Sequence, residues 1–110
     1  MNDEERKILF VSSRRKVLEE LIKSGEGTSY YIAKKLNVAD SAVGKHLAIL
    51  HEAGLVEEPL VDLSQGRLRK VYKPSKKAKE ILKEFWIEEV ESAPKFIKES
   101  LAQKLGERED

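Results

Sequence analysis

Apolar residues in the first quarter of the chain recur at the spacing of a helix face. They predict that residues 4 to 24 are helical, in two pieces separated by a break, with Ser12 or Ser13 as the N-cap of the second. Gly25 and Gly27 end this region. The apolar positions are Ile8, Leu9, Val11, Val17, Leu18, Leu21 and Ile22.

Two further helices are predicted close together. The first runs from Thr28, a favourable N-cap, to Leu36, and the second from about Asp40 to Ala53. Only residues 37–39 separate them, and the second begins with small and polar side chains. This is the arrangement of a helix-turn-helix, whereas a plain helical hairpin usually has a wider apolar face.

After Gly54 the pattern changes to two short runs typical of β-strands. They cover residues 55–63 and 68–73, and the turn at residues 64–66 joins them. Pro59 cannot donate a ladder hydrogen bond, so we expect the first strand to lie at an edge or to contain a bulge. The sequence therefore predicts a β-hairpin between helical regions.

The last third of the chain predicts two more helices, from Ser75 to about Ser92 and from Pro94 onward. They carry more large apolar side chains than a chain of 110 residues needs for its own core, which predicts a surface for a partner. The alternative is that Trp86 and Phe96 complete the monomer core. The predicted fold is mainly α with a small β-hairpin, in the order helix, helix, helix, hairpin, helix, helix.

Composition narrows the possible functions. The net charge is 0 over residues 1–27, +5 over 28–83 and −4 over 84–110, so a polyanion is expected to contact the middle. The absence of cysteine excludes thiolate metal sites and thiol chemistry, and the two histidines lack companion ligands, so no metal or other cofactor is expected. No apolar stretch approaches the roughly 18 residues of a membrane span, and we expect a cytoplasmic protein. Abundant Lys and Glu with few Met is typical of thermophiles.

The run from Val38 to Leu47, with Ser41, Val43, Lys45 and His46 inside it, is followed at fixed spacing by Leu50 and by Ala53-Gly54-Leu55-Val56. Together with the hairpin ending at Tyr72, this run resembles the ArsR-type winged helix-turn-helix family of repressors over roughly residues 12 to 80. Ala39 and Gly44 stand where the family usually has hydroxyl side chains. The family's cysteine metal site is absent, and no metal residue is carried over.

The resemblance implies a single domain over residues 1–110, with a DNA-binding core at 12–75 and dimerisation helices at 4–11 and 76–105. It implies a homodimer, because DNA half-sites lie about 34 Å apart and require a two-fold protein. The expected dimer-interface residues are Ile8, Leu9, Phe85, Trp86, Val90, Phe96, Ile97 and Leu101.

Three segments are candidates for contact with double-stranded DNA. The helix from Asp40 has short and polar side chains that suit base edges, and residues 28–30 open a helix where free N-H groups suit phosphate. The wing has basic residues, and strand alternation places Leu68 and Tyr72 toward the core. The candidate residues are Thr28, Ser29, Tyr30, Asp40, Ser41, Ala42, Gly44, Lys45, His46, Arg67, Arg69 and Lys70.

Simpler roles remain open for each segment: a solvated helix start, a purely capping Thr28, and a basic strand edge that prevents aggregation. For the whole chain we expect a sequence-specific transcriptional regulator acting as a repressor. The alternative is a winged helix that binds protein in a transcription complex. An enzyme is not expected, because the sequence has no glycine-rich phosphate loop, metal constellation or nucleophile with a recognisable base.

Overall fold

The computed structural model describes residues 1–64 and 66–109, with side chains for all of these except 101 and 105–109. The predicted element order is confirmed. Its helices and strands are α1 (Asp3–Phe10), α2 (Ser12–Ser24), α3 (Ser29–Leu36), α4 (Asp40–Glu52), β1 (Leu60–Asp62), β2 (Arg69–Val71), α5 (Ala78–Glu91) and α6 (Lys95–Glu109).

Local signals explain where α2 and α3 begin and end. Thr28 caps α3, since its hydroxyl oxygen accepts a hydrogen bond from the backbone N of Tyr31 at 3.1 Å. Asn37 ends α3 in the left-handed conformation, with φ of 56°. The expectation that Thr28 is the N-cap of α3 is confirmed. The break between α1 and α2 is also found, but the N-cap of α2 is Val11 rather than Ser12 or Ser13.

The hairpin is shorter than the sequence predicts. β1 and β2 pair antiparallel, with Leu60 opposite Val71 and Asp62 opposite Arg69. Pro59, which has no amide hydrogen to donate, immediately precedes β1 and limits the ladder. The base of the hairpin is held by two backbone hydrogen bonds between Tyr72 and Gly27. The N of Tyr72 donates to the O of Gly27 at 2.8 Å, and the N of Gly27 donates to the O of Tyr72 at 3.0 Å.

One apolar core joins the first five helices to the base of the hairpin. α2 lies at its centre and contacts α1, α3, α4 and α5. Since the same core holds α3, α4 and the hairpin, it fixes the relative positions of the predicted DNA-contacting segments. The buried apolar residues are Ile8, Leu9, Val17, Leu18, Leu21, Ile32, Ala33, Val43, Leu47, Leu50, Leu55, Val56, Ala78, Ile81 and Phe85.

Polar contacts attach α5 to the N-terminal helices. The Arg15 guanidinium lies 4.8 Å from the ring centre of Phe85 and 4.9 Å from that of Trp86, and its Nη1 donates to the carbonyl of Leu9 at 2.8 Å. The carboxylate of Glu5, itself buried, lies 3.2 Å from Lys77 Nζ. Because these contacts join α1 and α2 to both the N-cap and the middle of α5, they fix the direction of α5 relative to the core.

The start of α5 corrects one prediction. Ser75 is not its N-cap: a turn follows Ser75, the helix begins at Ala78, and the N-cap Lys77 makes no side-chain capping bond. The Ser75 hydroxyl has no hydrogen-bond partner among the described residues. The described side chains of α6 are all exposed. Among the described residues, no helix is both long and apolar enough to cross a membrane.

Candidate nucleic-acid interface

A groove of about 650 Å³ lies where α3, α4 and the hairpin meet. Its walls come from the start of α3, the start of α4 and the β2 side of the hairpin. The structure therefore brings together seven of the predicted DNA-contacting residues, which lie up to 42 positions apart in the sequence, from Thr28 to Lys70. The lining residues are Thr28, Ser29, Tyr30, Asp40, Arg67, Leu68, Arg69, Lys70 and Tyr72.

The start of α3 presents backbone donors at this groove. The first intrahelical hydrogen bond is donated by the N of Ile32 to the O of Thr28 at 3.1 Å, so the amides of Ser29 and Tyr30 precede the helical ladder. The Tyr30 side chain is exposed. A helix N-terminus also carries a partial positive charge, and this end of α3 can therefore accept an anionic oxygen.

The exposed face of α4 has short side chains. Val43, Leu47 and Leu50 are fully buried, which turns Ser41 and Lys45 to solvent on the opposite side. A Cβ placed on Gly44 would meet no atom within 4 Å, so this part of the helix lies open as well. The N-cap of α4 is Ala39, which has no side-chain oxygen and therefore makes no capping hydrogen bond. A hydroxyl residue, which the family usually has at this position, could make that bond. This surface can come close to a groove of DNA.

Two predicted base-contacting residues lie on a different flank of α4. Ala42 and His46 line a smaller cavity of about 180 Å³ that faces α2. The Nδ1 of His46 is buried without a hydrogen-bond partner among the described residues. Burial, with a smaller contribution from the charge of Arg14, lowers the pKa of His46 below 6.5. This position favours packing against α2 for His46 over the predicted contact with DNA.

The wing, residues 60–71, carries the basic residues at its β2 side. Arg69 lies opposite Asp62, whose carboxylate accepts a hydrogen bond from the backbone N of Ser64 at 2.8 Å. That bond, the Ser64 side chain and the charge of Arg69 lower the pKa of Asp62. Arg67 is exposed at the turn. The predicted turn includes Gln65, which lies outside the described residues.

The prediction that Leu68 points to the core is wrong. Leu68 is 70% exposed, because the ladder stops at Arg69 and strand alternation does not extend to the preceding residue. Tyr72 does pack against the core, as predicted. Sequence reasoning did not include Leu68 or Tyr72 in the candidate interface. The position of Leu68 between two arginines is the signal that could have suggested it.

The predicted dimer residues fall into two groups. Ile8, Leu9 and Phe85 are buried in the chain's own core, so their side chains offer no surface to a partner, and for these three the expectation needs correction. Apolar positions on a helix do not distinguish a core within one chain from one between chains. Trp86, Val90, Phe96 and Ile97 are exposed, as is Ile87, which the sequence did not single out. The side chain of Leu101 lies outside the described residues.

The exposed part of α5 forms a shallow concavity. Its volume is about 510 Å³, and Trp86, Ile87 and Val90 line it between Lys83 and Glu91. Among the described residues, no group of three or more His, Cys, Asp or Glu is placed to hold a metal ion. His51 instead pairs with Glu58, at 2.8 Å between Nε2 and a carboxylate oxygen.

Residues 12–58 match the model of the bacterial regulatory protein, arsR family. This segment is similar to the helix-turn-helix of that family. The ArsR-type segment ends just before the wing, so the groove combines the family segment with the hairpin that follows it. A comparison with curated proteins gave no match.

Solved structures with a similar fold are transcriptional regulators. A transcriptional regulator homologue from Pyrococcus horikoshii OT3 is 22% identical, with a TM-score of 0.65 over 73% of this chain and 78% of that one. A possible transcriptional regulator for arsenical resistance is 29% identical, with a TM-score of 0.60 over 77% and 82%. MarR from E. coli is 18% identical, with a TM-score of 0.59 over 94% and 84%.

The family match and these folds confirm the ArsR resemblance and the winged helix fold. They indicate a DNA-binding transcriptional regulator, a class of protein that is not an enzyme.

Proposed function

We propose that this chain is a homodimeric repressor that binds double-stranded DNA through its recognition face, defined here as the groove residues together with Ser41 and Lys45. The observation that carries the proposal is the groove itself, where the α3 N-terminus, the start of α4 and the basic side of the wing open onto one surface. A basic wing alone is explained by solubility. A basic wing beside two exposed helix starts fits a duplex.

α4 is the element that we assign to the major groove. Its exposed flank holds Ser41, Gly44 and Lys45, so the helix backbone can approach base edges closely. Ser41 can donate to or accept from a base or phosphate, and Lys45 can reach a guanine or a phosphate. Exposed apolar residues at these positions would favour the alternative of a protein-binding winged helix, and the chain has none there.

Phosphate contacts would come from the start of α3 and from the wing. Ser29 and Tyr30, whose amides precede the helical ladder, line the groove together with Arg67, Arg69 and Lys70. The wing thus follows the DNA backbone, where positive side chains release condensed counterions on binding. Such contacts position the protein on DNA without reading its sequence.

The homodimer is proposed to form through α5 and α6. Trp86, Ile87 and Val90 line the apolar concavity, and Phe96 and Ile97 add exposed apolar surface on α6. A stable interface buries about 800 Å² on each partner, which a single concavity of this size does not provide, so we include α6. In this scheme residues 12–75 bind DNA, and α5 and α6 within residues 76–105 hold the dimer and its operator half-sites in register, while Ile8 and Leu9 of residues 4–11 pack into the chain's own core.

Repression would follow from occupancy of an operator in the cytoplasm, where the dimer blocks promoter access. The test is an anisotropy titration of labelled duplex at salt concentrations between about 50 mM and about 200 mM. We expect the logarithm of affinity to fall linearly with the logarithm of salt, with a slope of about −0.9 for each phosphate contacted. Affinity that does not change with salt would contradict direct DNA binding.

A further inference from the structure

The tip of the wing carries two leucines whose side chains are largely exposed. Leu63 is 66% exposed and Leu68 is 70% exposed. Leu63 directly follows β1 and Leu68 directly precedes β2, so the two leucines lie on either side of the turn. The wing therefore presents exposed aliphatic side chains next to its turn, in addition to the arginines that the sequence emphasises.

Leu68 belongs to the recognition face by position. It lines the groove together with Arg67 and Arg69, its neighbours in the sequence, and with Tyr30 at the start of α3. A strand edge that only had to stay soluble would place polar residues here. An aliphatic side chain between two arginines, on a surface directed at a polyanion, instead gains free energy only when that surface is covered.

We propose that Leu68 is a wedge that enters the DNA minor groove between two base pairs, and that the wing thereby bends the duplex. This inference rests on the proposed DNA-binding function. The charges of Arg67 and Arg69 hold the flanking phosphates while the leucine separates the base step between them. Apolar wedges of this kind kink DNA by about 20 to 90° toward the major groove. Pyrimidine-purine steps are the easiest to unstack, so Leu68 would add sequence preference without a hydrogen bond to any base.

The test uses a duplex of about 30 base pairs, selected from random DNA by the wild-type protein and carrying a fluorescence donor and acceptor at its ends. We expect energy transfer to rise when wild-type protein binds, and Leu68→Ala to remove most of that rise while weakening affinity less than about tenfold. Leu68→Met, which keeps an apolar side chain of similar volume, should restore the bend. In a second duplex, 2-aminopurine at the central steps should brighten with wild type and not with Leu68→Ala.

Leu60→Ala is the matched control. Leu60 is also a leucine of the wing, 60% exposed, but it does not line the groove, so its variant should bend DNA as the wild type does. Bound DNA that stays straight, or a bend unchanged in Leu68→Ala, would overturn the wedge while leaving DNA binding intact. Loss of self-association in Leu68→Ala, with bending retained, would assign the leucine to a second copy of the chain and also overturn it. No binding by any variant at low salt would reject the proposed function itself.

Discussion

The recognition face and the outer face of α5 and α6 are both exposed, yet they are built from different side chains. The first combines helix N-terminal amides, short polar residues and the basic wing around a groove of about 650 Å³. The second presents Trp86, Ile87 and Val90 in a concavity of about 510 Å³. One surface suits a polyanion and the other suits a protein, and a single core connects them through α2.

The exposed apolar surface and the exposed charge of this small chain are therefore expected to serve different interactions, assembly in the first case and DNA binding in the second. Removing apolar side chains from the α5 face should affect assembly before it affects DNA contact. Removing charge from the recognition face should affect DNA contact and leave assembly unchanged. The predictions below test that separation, beginning with the largest expected effect.

Trp86→Ala should weaken the dimer, and this is the largest effect that we expect from any of these substitutions. Buried tryptophans at interfaces often contribute 2 kcal/mol or more, so we expect the dissociation constant to rise by about 30-fold to about 1,000-fold. Sedimentation over a range of concentrations measures it. Since Trp86 also lies against Arg15, a thermal melt must show that the monomer still folds. Phe10→Ala is the control, because Phe10 is 71% exposed at the end of α1 and does not line the concavity.

A wild-type chain that is only monomeric at micromolar concentration would contradict the assignment of the α5 face to a dimer. A dissociation constant that moves equally in Trp86→Ala and Phe10→Ala would also break the comparison, because it would place the interface at α1 as much as at α5.

Lys45→Ala should reduce discrimination between operator and unrelated DNA. One good contact to a base is worth about 1 to 3 kcal/mol, so the ratio of the two affinities should fall between about fivefold and about 150-fold. Competition titrations at one salt concentration measure the ratio. Lys34→Ala, an exposed lysine near the end of α3 and outside the groove, should leave it unchanged. An unchanged ratio in Lys45→Ala would move base reading away from α4.

Arg67→Ala should weaken binding to all DNA by about tenfold and make the salt slope shallower by about one unit, because one phosphate contact is lost. The control is Lys98→Ala, which removes an exposed charge from α6. Equal effects in the two variants would show that binding depends on overall charge rather than on the recognition face.

His46 should make folding stability depend on pH. Its pKa in the folded chain is below 6.5, so above that pH both folded and unfolded chains hold it neutral and stability is unaffected. As pH decreases below 6.5, His46 takes up a proton in the unfolded chain before it does so in the folded chain. The free energy of unfolding should therefore decrease as pH decreases, until the pH passes the lowered pKa of the folded chain. Arg14 beside His46 is cationic and adds to the penalty of burial.

Chemical denaturation between about pH 8 and about pH 5.5 measures this effect, since carboxylates titrate lower. His46→Gln should flatten the profile, and His51→Gln, which removes the half-exposed partner of Glu58, should not reproduce that flattening. A wild-type profile that is flat over this interval would mean that the α4 flank facing α2 is open to solvent. His46 would then not be distinguished by burial from the exposed residues of the recognition face.

Local chemistry allowed much of the fold to be predicted. The hydroxyl of Thr28, the left-handed Asn37 and the apolar stripe of α4 each act within a few residues, so the helix-turn-helix could be located from the sequence. The match of residues 12–58 to the arsR model agrees with that location. The groove could be anticipated only as three separate segments.

What could not be predicted depends on packing between distant segments. The apolar stripes of α1 and α5 are too broad to show that Ile8, Leu9 and Phe85 face inward while Trp86 faces outward, because the crossing of α1, α2 and α5 decides it. The predicted strand alternation was also extended too far, to Leu68, because the sequence does not show where the ladder ends. The ladder ends at Arg69, and beyond it the turn rather than the pleat directs Leu68.

An NMR titration of the ¹⁵N-labelled chain with the selected duplex tests most directly whether the recognition face binds DNA. We expect the amide signals of residues 28–30, 40–45 and 66–70 to shift or broaden, while those of residues 83–97 keep their positions. Perturbation confined to residues 83–97, with the groove unaffected, would contradict it and would make the α5 and α6 face the nucleic-acid surface.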